Sequence, residues 1–126
     1  MTVLLDSWAW IEYFKGTSYG KEAKKFIEGD EEILVSVINI AEVYGHFLRN
    51  KDEDAADSVI KFISKRSFII PVITKIAINA AKIKYEKKWG LGDALIYATA
   101  EIHKIQIMTG DPDFKDEDNV IYIGKA

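Results

Sequence analysis

Short apolar runs alternate along this chain with longer segments of helical periodicity, and this alternation constrains the fold more than any other feature. Thr2–Leu5, Glu32–Ser36 and Phe68–Ile70 have the length and composition of strands, and each is followed by a helical pattern. Strands that alternate with helices form βαβ crossovers, so the strands are parallel and helices cover both faces of the sheet. The sequence therefore predicts a three-layer α/β/α sandwich with a mainly parallel central sheet.

The remaining elements follow the same alternation. Two further strands are predicted at Ile105–Met108 and at Asn119–Ile123, the last of them at an edge of the sheet. No repeat, low-complexity tract or linker interrupts the 126 residues, so we expect residues 1–126 to form a single domain. Helices are predicted at about Ser7–Phe14, Lys21–Glu28, Ile38–Arg49, Asp52–Lys65, Thr74–Lys88 and Asp93–His103, with Asp6 or Ser7, Thr74 and Asp93 at helix starts.

Composition excludes several classes of protein. The chain has no cysteine, which excludes disulfides, thiolate metal sites and cysteine nucleophiles. Its apolar runs are too short to span a membrane, and residues 1–15 lack the basic start and apolar stretch of a signal peptide. We therefore expect a cytoplasmic protein that does not bind membranes.

Five carboxylates fall where such a fold binds ligands, which is outside the carboxyl ends of the strands. Asp6 ends the first predicted strand, and Glu42 lies in the first turns of the helix after the second. Asp93 begins the helix that leads into the fourth strand, and Asp111 and Asp113 follow that strand by a short turn. Each alone is explained by helix capping, turn chemistry or a solvated helix face, but the predicted fold directs all five towards one edge.

Carboxylates that crowd together raise one another's pKa unless a cation neutralises them. Mg²⁺ prefers oxygen ligands at about 2.1 Å, and Mn²⁺ suits the same ligands. Zinc fits poorly, because cysteine is absent and the two histidines, His46 and His103, lie on different predicted helices. A divalent ion between acids and a phosphate activates water and stabilises the charge of the transition state. The pattern therefore favours metal-dependent hydrolysis of phosphodiesters.

The net charge of −3 argues against a nucleic-acid-binding protein only if the acids are evenly spread. Without the five clustered carboxylates, 15 acids remain against 17 Lys and Arg. The basic excess is concentrated near the end of the helix predicted from Thr74. A solvated helix face accounts for this run, but the same side chains are also candidates for contacts with nucleic-acid phosphates and bases: Lys82, Lys84, Lys87, Lys88 and Trp89.

Four segments resemble, in order, the motifs of the PIN-domain ribonucleases, particularly the VapC-type toxins of bacterial and archaeal toxin–antitoxin pairs. They are Leu4–Phe14, Ser36–Val43, Gly92–Ala100 and Thr109–Phe114. Each motif alone is weak, whereas all four at family-like spacing are specific. The resemblance extends over essentially the whole chain.

The resemblance implies an acidic catalytic site that holds Mg²⁺ or Mn²⁺ and cleaves RNA. It also implies a homodimer and a small antitoxin protein that blocks the site by inserting an Arg, whose guanidinium forks onto carboxylates. The residues implied as catalytic and metal-binding are Asp6, Glu42, Asp93 and Asp111, joined by Asp113 directly or through water, with Ser7 or Thr109 orienting ligands.

Other polar and aromatic residues are assigned by their more ordinary roles. Asn39, Glu42, His46 and Arg49 recur at helical spacing, so one face of their helix is polar, and His46 is assigned a solvated or capping role rather than that of a base. We interpret Glu12 as structural or dimer-facing. Packing rather than RNA stacking is expected of the four aromatic residues near the start of the chain: Trp8, Trp10, Tyr13 and Phe14.

Three other functions compete with an antitoxin-controlled ribonuclease. A PIN ribonuclease of RNA processing needs no antitoxin. A catalytically silent RNA-binding module has no reason to hold mutually repelling acids. A response-regulator receiver needs adjacent acids after its first strand and an Asp at the end of its third. Here Ser7 follows Asp6, and Pro71 follows the third predicted strand, so the receiver hypothesis fails.

Overall fold

The computed structural model describes residues 1–126 and contains five parallel strands in the order β3-β2-β1-β4-β5. The predicted α/β/α sandwich and the edge position of the last strand are confirmed. The strands are β1 (Thr2–Leu5), β2 (Glu32–Ser36), β3 (Phe68–Ile70), β4 (Gln106–Thr109) and β5 (Val120–Tyr122).

All six predicted helices are present, and two short 3₁₀ turns at Ser18–Gly20 and Pro112–Phe114 accompany them. None of the six combines the length and the hydropathy that a membrane-crossing helix needs. The helices are α1 (Ser7–Lys15), α2 (Lys21–Ile27), α3 (Val37–Asn50), α4 (Glu53–Arg66), α5 (Thr74–Lys87) and α6 (Leu91–His103).

Two predicted helix caps, Asp93 and Thr74, are wrong, and a third, Asp6, has the predicted position but makes no capping hydrogen bond. α6 begins at Leu91 after an extended Gly90, so Asp93 is its third residue and not its cap. The N-cap position of α5 is Ile73 instead of Thr74, and no side chain caps this helix. Asp6 does occupy the N-cap position of α1, but its carboxylate makes no capping hydrogen bond. The side chain of Asp6 is therefore available to partners outside α1.

The central strand β1 is buried on both faces, as expected for a parallel sheet. Val3 and Leu5 face the helical layer that includes α1, α3 and α4, and Leu4 faces the layer of α5 and α6, because successive side chains of a strand point to opposite faces. Trp10 is fully buried in the first layer and stacks on Phe14 with 6.2 Å between ring centroids, which confirms packing for these two rings.

The register of the sheet brings the ends of β1 and β4 to one edge. Leu5 pairs with Met108, and the Asp6 N–H donates to the Met108 carbonyl at 3.1 Å. After Thr109 the chain passes beneath the ring of Trp8 at Gly110, where a Cβ atom would collide with that ring. The residues that follow β1 and β4 are therefore held side by side.

Candidate acidic metal site

Four of the five predicted acids line a single cleft of about 440 Å³ at the carboxyl edge of the sheet: Asp6, Glu42, Asp93 and Asp111. The fifth, Asp113, lies next to them, because one carboxylate oxygen from each of Asp93, Asp111 and Asp113 falls within 4.8 Å of the others. Residues from four segments of the chain thus converge as the parallel sheet requires.

Neutral donors hold Asp6, which is buried at 4% exposure. Its Oδ1 accepts a hydrogen bond from Asn39 Nδ2 at 3.1 Å, and its Oδ2 accepts one from the Thr109 hydroxyl at 2.7 Å. Burial and, to a smaller extent, the negative charge of Glu42 raise the pKa of Asp6 to about 6, against the lowering effect of the Thr109 hydrogen bond.

Asn39 is a site residue that the sequence analysis did not identify. It belongs to the capping box at the start of α3, where its Oδ1 accepts from the Ser36 N–H at 3.1 Å. This bond turns the Nδ2 group towards β1, where it donates to Asp6 and, at 2.9 Å, to the Ser7 hydroxyl oxygen. The Ser36-x-x-Asn39 spacing was the available sequence signal, but a capping box alone does not reveal the partners of the amide nitrogen.

Ser7 extends the same network to Glu42. Its hydroxyl accepts from Asn39 and donates to Glu42 Oε1 at 2.5 Å, so the carboxylate of α3 is tied to the start of α1. A Cβ atom at Gly92 would lie 3.2 Å from Glu42 Oε2, so the first turn of α6 passes close to this carboxylate. Glu42 remains exposed at the mouth of the cleft.

The carboxylates of Asp93, Asp111 and Asp113 accept fewer hydrogen bonds than the carboxylate of Asp6 does. The Asp111 N–H donates to Thr109 Oγ1 at 3.0 Å, and the Asp113 N–H donates to Asp111 Oδ1 at 2.9 Å. Burial, followed by the charge of Asp111 and a hydrogen bond with Asp113, raises the pKa of Asp93 to about 7. These acids are mutually repulsive in the absence of a cation.

This donor set fits a hard divalent cation. All the converging ligands are carboxylate oxygens, three of them within 4.8 Å of one another, which is the ligand type that Mg²⁺ and Mn²⁺ prefer. A bound cation would also remove the repulsion that raises the pKa of Asp93.

The predicted RNA-binding residues lie elsewhere, and none of them lines the acidic cleft. Lys87 Nζ pairs with Glu117 Oε1 at 2.9 Å and lies 5.2 Å from the ring centroid of Trp89. Trp89 itself packs on Tyr97 and Phe114, at 5.3 and 5.0 Å between ring centroids. The other three are exposed on or just after α5: Lys82, Lys84 and Lys88.

Glu12 contacts residues outside the acidic cleft, as expected of a structural residue, whereas His46 lines the cleft. Glu12 accepts a hydrogen bond from the Thr17 hydroxyl at 2.9 Å and pairs with Lys15 at 3.6 Å. His46 lines the acidic cleft, and burial followed by the positive charges of Lys15 and Arg49 lowers its pKa. We therefore expect His46 to be neutral near pH 7.

A five-stranded parallel sheet with carboxylates gathered at one edge defines an α/β protein with an acidic cleft that could bind a metal ion. Residues 3–119 match the family model of the PIN domain, and the chain belongs to this family. A comparison with curated proteins gives no match.

Solved structures share the fold over nearly the full length. A toxin–antitoxin complex from Klebsiella pneumoniae contains a chain that is 24% identical, with 98% of this chain and 99% of that chain covered at a TM-score of 0.80. VapC20 of Mycobacterium tuberculosis, described as a toxin that cleaves the sarcin-ricin loop, is 18% identical with 94% and 96% covered at 0.79. A chain of VapBC2 from Rickettsia felis, bound to promoter DNA, is 20% identical with 97% of each chain covered at 0.76. The resemblance drawn from the four motifs is thus confirmed for family and fold.

Proposed function

We propose that this protein is a metal-dependent endoribonuclease that hydrolyses RNA phosphodiester bonds at the acidic cleft, and that it is the toxin of a toxin–antitoxin pair. The observation that carries this proposal is the convergence of Asp6, Glu42, Asp93 and Asp111 on one cleft of a PIN domain. The toxin assignment is supported by the fold shared with the chains of toxin–antitoxin complexes.

Each residue of the site has a defined task in this reaction. Mg²⁺ or Mn²⁺, when bound, supplies an activated water and stabilises negative charge on the phosphate. The acids Asp93, Asp111 and Asp113 provide oxygen ligands, and Asp6 and Glu42 complete the acidic wall. Ser7, Asn39 and Thr109 hold Asp6 and Glu42 in place through hydrogen bonds of 2.5 to 3.1 Å. Preorganised ligands of this kind lower the cost of reaching the transition state.

Two surfaces of the protein suit the proposed protein partners: the acidic cleft suits an antitoxin, and the outward face of α5 suits a second copy of this chain. The crowded carboxylates suit an antitoxin Arg, because a guanidinium binds carboxylates in a bidentate manner and would occupy the place of the metal ion. For a homodimer, the outward face of α5 is the best-suited surface, since Ile78 and Tyr85 lie on one face of that helix and are 53% and 80% exposed.

Cleavage of a mixed panel of structured and unstructured RNAs tests the proposal. The purified protein is assayed with Mg²⁺, with Mn²⁺ and with EDTA. We expect discrete metal-dependent products, and a loss of about 10³-fold or more in Asp6→Asn, because a carboxylate of the catalytic unit is neutralised. Glu12→Gln is the matched control, since Glu12 contacts Thr17 and Lys15 outside the site, and it should cleave almost normally.

Two outcomes would contradict the proposal. If Asp6→Asn and Glu12→Gln lose activity equally, the site is misplaced. If the wild-type protein neither cleaves the panel nor binds Mn²⁺ in calorimetry, the silent RNA-binding module becomes the better description. Co-expression with the product of a neighbouring short gene distinguishes a toxin from a ribonuclease of RNA processing.

A further inference from the structure

One side of the acidic cleft is basic, because Arg49 lies there, and Arg49 is not part of the proposed metal site. Arg49 lies on α3, two turns after Glu42, and lines the same cleft as Asp6, Asp93 and Asp111. The chain has three ion pairs, and Arg49 takes part in none of them. A guanidinium that shares a cleft with four carboxylates and pairs with none is available to an anionic ligand.

Gly45 provides the space that Arg49 occupies. Arg49 Nη1 lies 3.0 Å from the position that a Cβ atom would take at Gly45, one turn earlier on α3. The side chain therefore folds back along the helix towards Glu42 instead of extending from the helix end. A glycine inside a helix is unfavourable, so its presence here is consistent with a need for space at this position.

Further positive charge continues from this basic side of the cleft. A second depression shares His46 with the acidic cleft and is lined by Lys15 and Lys51, both exposed. Arg49 in the acidic cleft and Lys15 and Lys51 in the second depression thus flank His46 from two sides. We name these three cations the α3 basic path. By contrast, none of the basic residues of α5 lines the cleft. Ion pairing does not separate the two groups, because Lys15 pairs with Glu12 at 3.6 Å as Lys87 pairs with Glu117 at 2.9 Å.

We propose that Arg49 binds the RNA phosphate adjacent to the one being cleaved, and that the RNA strand leaves the cleft along the α3 basic path. This inference rests on the proposed ribonuclease function. The carboxylates and their metal ion bind the phosphate that reacts, whereas a backbone phosphate beside it needs a cation of the protein. The planar guanidinium forms two hydrogen bonds with a phosphate and fixes the register of the strand.

The test measures binding separately from cleavage. All variants are made in Asp6→Asn protein, and a fluorescein-labelled single-stranded oligoribonucleotide is titrated in Mg²⁺ at several salt concentrations. We expect Arg49→Ala to weaken binding at least tenfold and to reduce the slope of log K against log[salt] by about 1. Arg49→Lys should recover part of the affinity. Lys61→Ala, which removes an exposed cation of α4 far from this cleft's lining, should bind as the parent does.

Gly45→Ala tests the position of the Arg49 guanidinium without removing its charge. It keeps every charge and favours the helix, so the melting temperature should rise, but the added Cβ would lie 3.0 Å from Arg49 Nη1 and displace the guanidinium by a few tenths of an ångström. We expect it to weaken RNA binding severalfold, less than Arg49→Ala. Mn²⁺ binding, measured by calorimetry in the wild-type background, should be unchanged or tighter in Arg49→Ala, because a cation has been removed beside the carboxylates.

The outcomes separate this inference from the function on which it rests. If Arg49→Ala and Lys61→Ala bind RNA equally well, Arg49 does not bind phosphate. The proposed ribonuclease function is then judged by the cleavage assay alone. If the oligoribonucleotide binds to no variant and the wild-type protein cleaves no RNA, both proposals are overturned. Loss of Mn²⁺ binding together with RNA binding in Arg49→Ala would show a structural role and also reject the inference.

Discussion

The acidic site consists of two halves that are stabilised in different ways. In the anchored half, both oxygens of Asp6 accept hydrogen bonds, from Asn39 and Thr109, and Ser7 donates to Glu42. In the open half, Asp93, Asp111 and Asp113 face one another within 4.8 Å. The first half is satisfied by the protein itself, whereas the second half needs a partner of opposite charge.

This difference explains how the fold tolerates so many acids. A buried carboxylate is stabilised only when donors replace the water it loses, and Asn39 and Thr109 provide such donors to Asp6. Asp93 has no comparable donors, so its pKa is raised further, to about 7, compared with about 6 for Asp6. The open half therefore stores the repulsion that a bound cation relieves.

The largest effect on stability is expected from Asn39→Ala in the anchored half. This change removes hydrogen bonds to Asp6, Ser7 and the Ser36 N–H, all in buried surroundings. Buried groups left without partners should lower the free energy of unfolding by about 2–4 kcal/mol. Urea denaturation measures the loss.

Asn50→Ala is the matched control for this prediction. Asn50 is an exposed asparagine on the same helix and donates to the His46 carbonyl at 2.8 Å. Its replacement should change the free energy of unfolding by about 0.5 kcal/mol or less. Equal losses in the two variants would mean that the Asn39 network does not anchor the site.

The sequence predicted the acids of both halves, and the family resemblance implied Ser7 and Thr109, but Asn39 was not predicted as a donor. Asp6 directly follows β1 and Asp111 lies two residues after the end of β4, so the rule for parallel sheets was enough to place them at one edge. The role of Asn39 depends on a partner 33 residues away and on the rotation of its amide by the Ser36 N–H. Such an arrangement leaves no periodic pattern, so only the three-dimensional structure reveals it.

The basic run on α5 shows a second limit of sequence analysis, which concerns charges whose partners lie far away in the chain. Composition identified the positive charges correctly, but Lys87 pairs with Glu117, 30 residues later in the chain. Arg49 appeared in the sequence only as part of a polar helix face. Local charge counts cannot decide which cations remain available, because the neutralising acids arrive from distant segments.

The open half should control how stability depends on pH and on metal ions. The pKa of Asp93 is about 7 in the folded protein, compared with 3.8 for an unperturbed aspartate, so the folded state binds more protons than the unfolded state between these values. The stability of the metal-free protein should therefore fall as the pH rises from about 4 to 7. Asp93→Asn should remove the fall in stability between about pH 6 and 7 and stabilise the metal-free protein at pH 8, whereas Asp6, with a pKa of about 6, still contributes to the fall at lower pH. Because Asp93 is half-buried, solvent screening limits the gain to about 1–2 kcal/mol.

Thermal unfolding with and without Mn²⁺ checks this prediction. Mn²⁺ at 100 times its dissociation constant should stabilise the wild-type protein by about 2.7 kcal/mol at pH 8, and Asp93→Asn much less. Asp6→Asn is the comparison within the anchored half: it should not stabilise the metal-free protein, because the amide has only one oxygen for the donors Asn39 and Thr109. Equal stabilisation by Asp93→Asn and Asp6→Asn would contradict the division of the site into an anchored and an open half.

The smallest effect is expected at Thr109, which joins the two halves. Its hydroxyl donates to Asp6 Oδ2 at 2.7 Å and accepts from the Asp111 N–H at 3.0 Å. Thr109→Val removes both bonds with little change of shape and should cost about 1 kcal/mol in urea denaturation, whereas Thr109→Ser keeps the hydroxyl and should cost less. Because this residue contacts both halves, the effects of Thr109→Val and Asp93→Asn should fail to add in the double variant. Strict additivity would mean that the Thr109 hydroxyl does not couple the two halves.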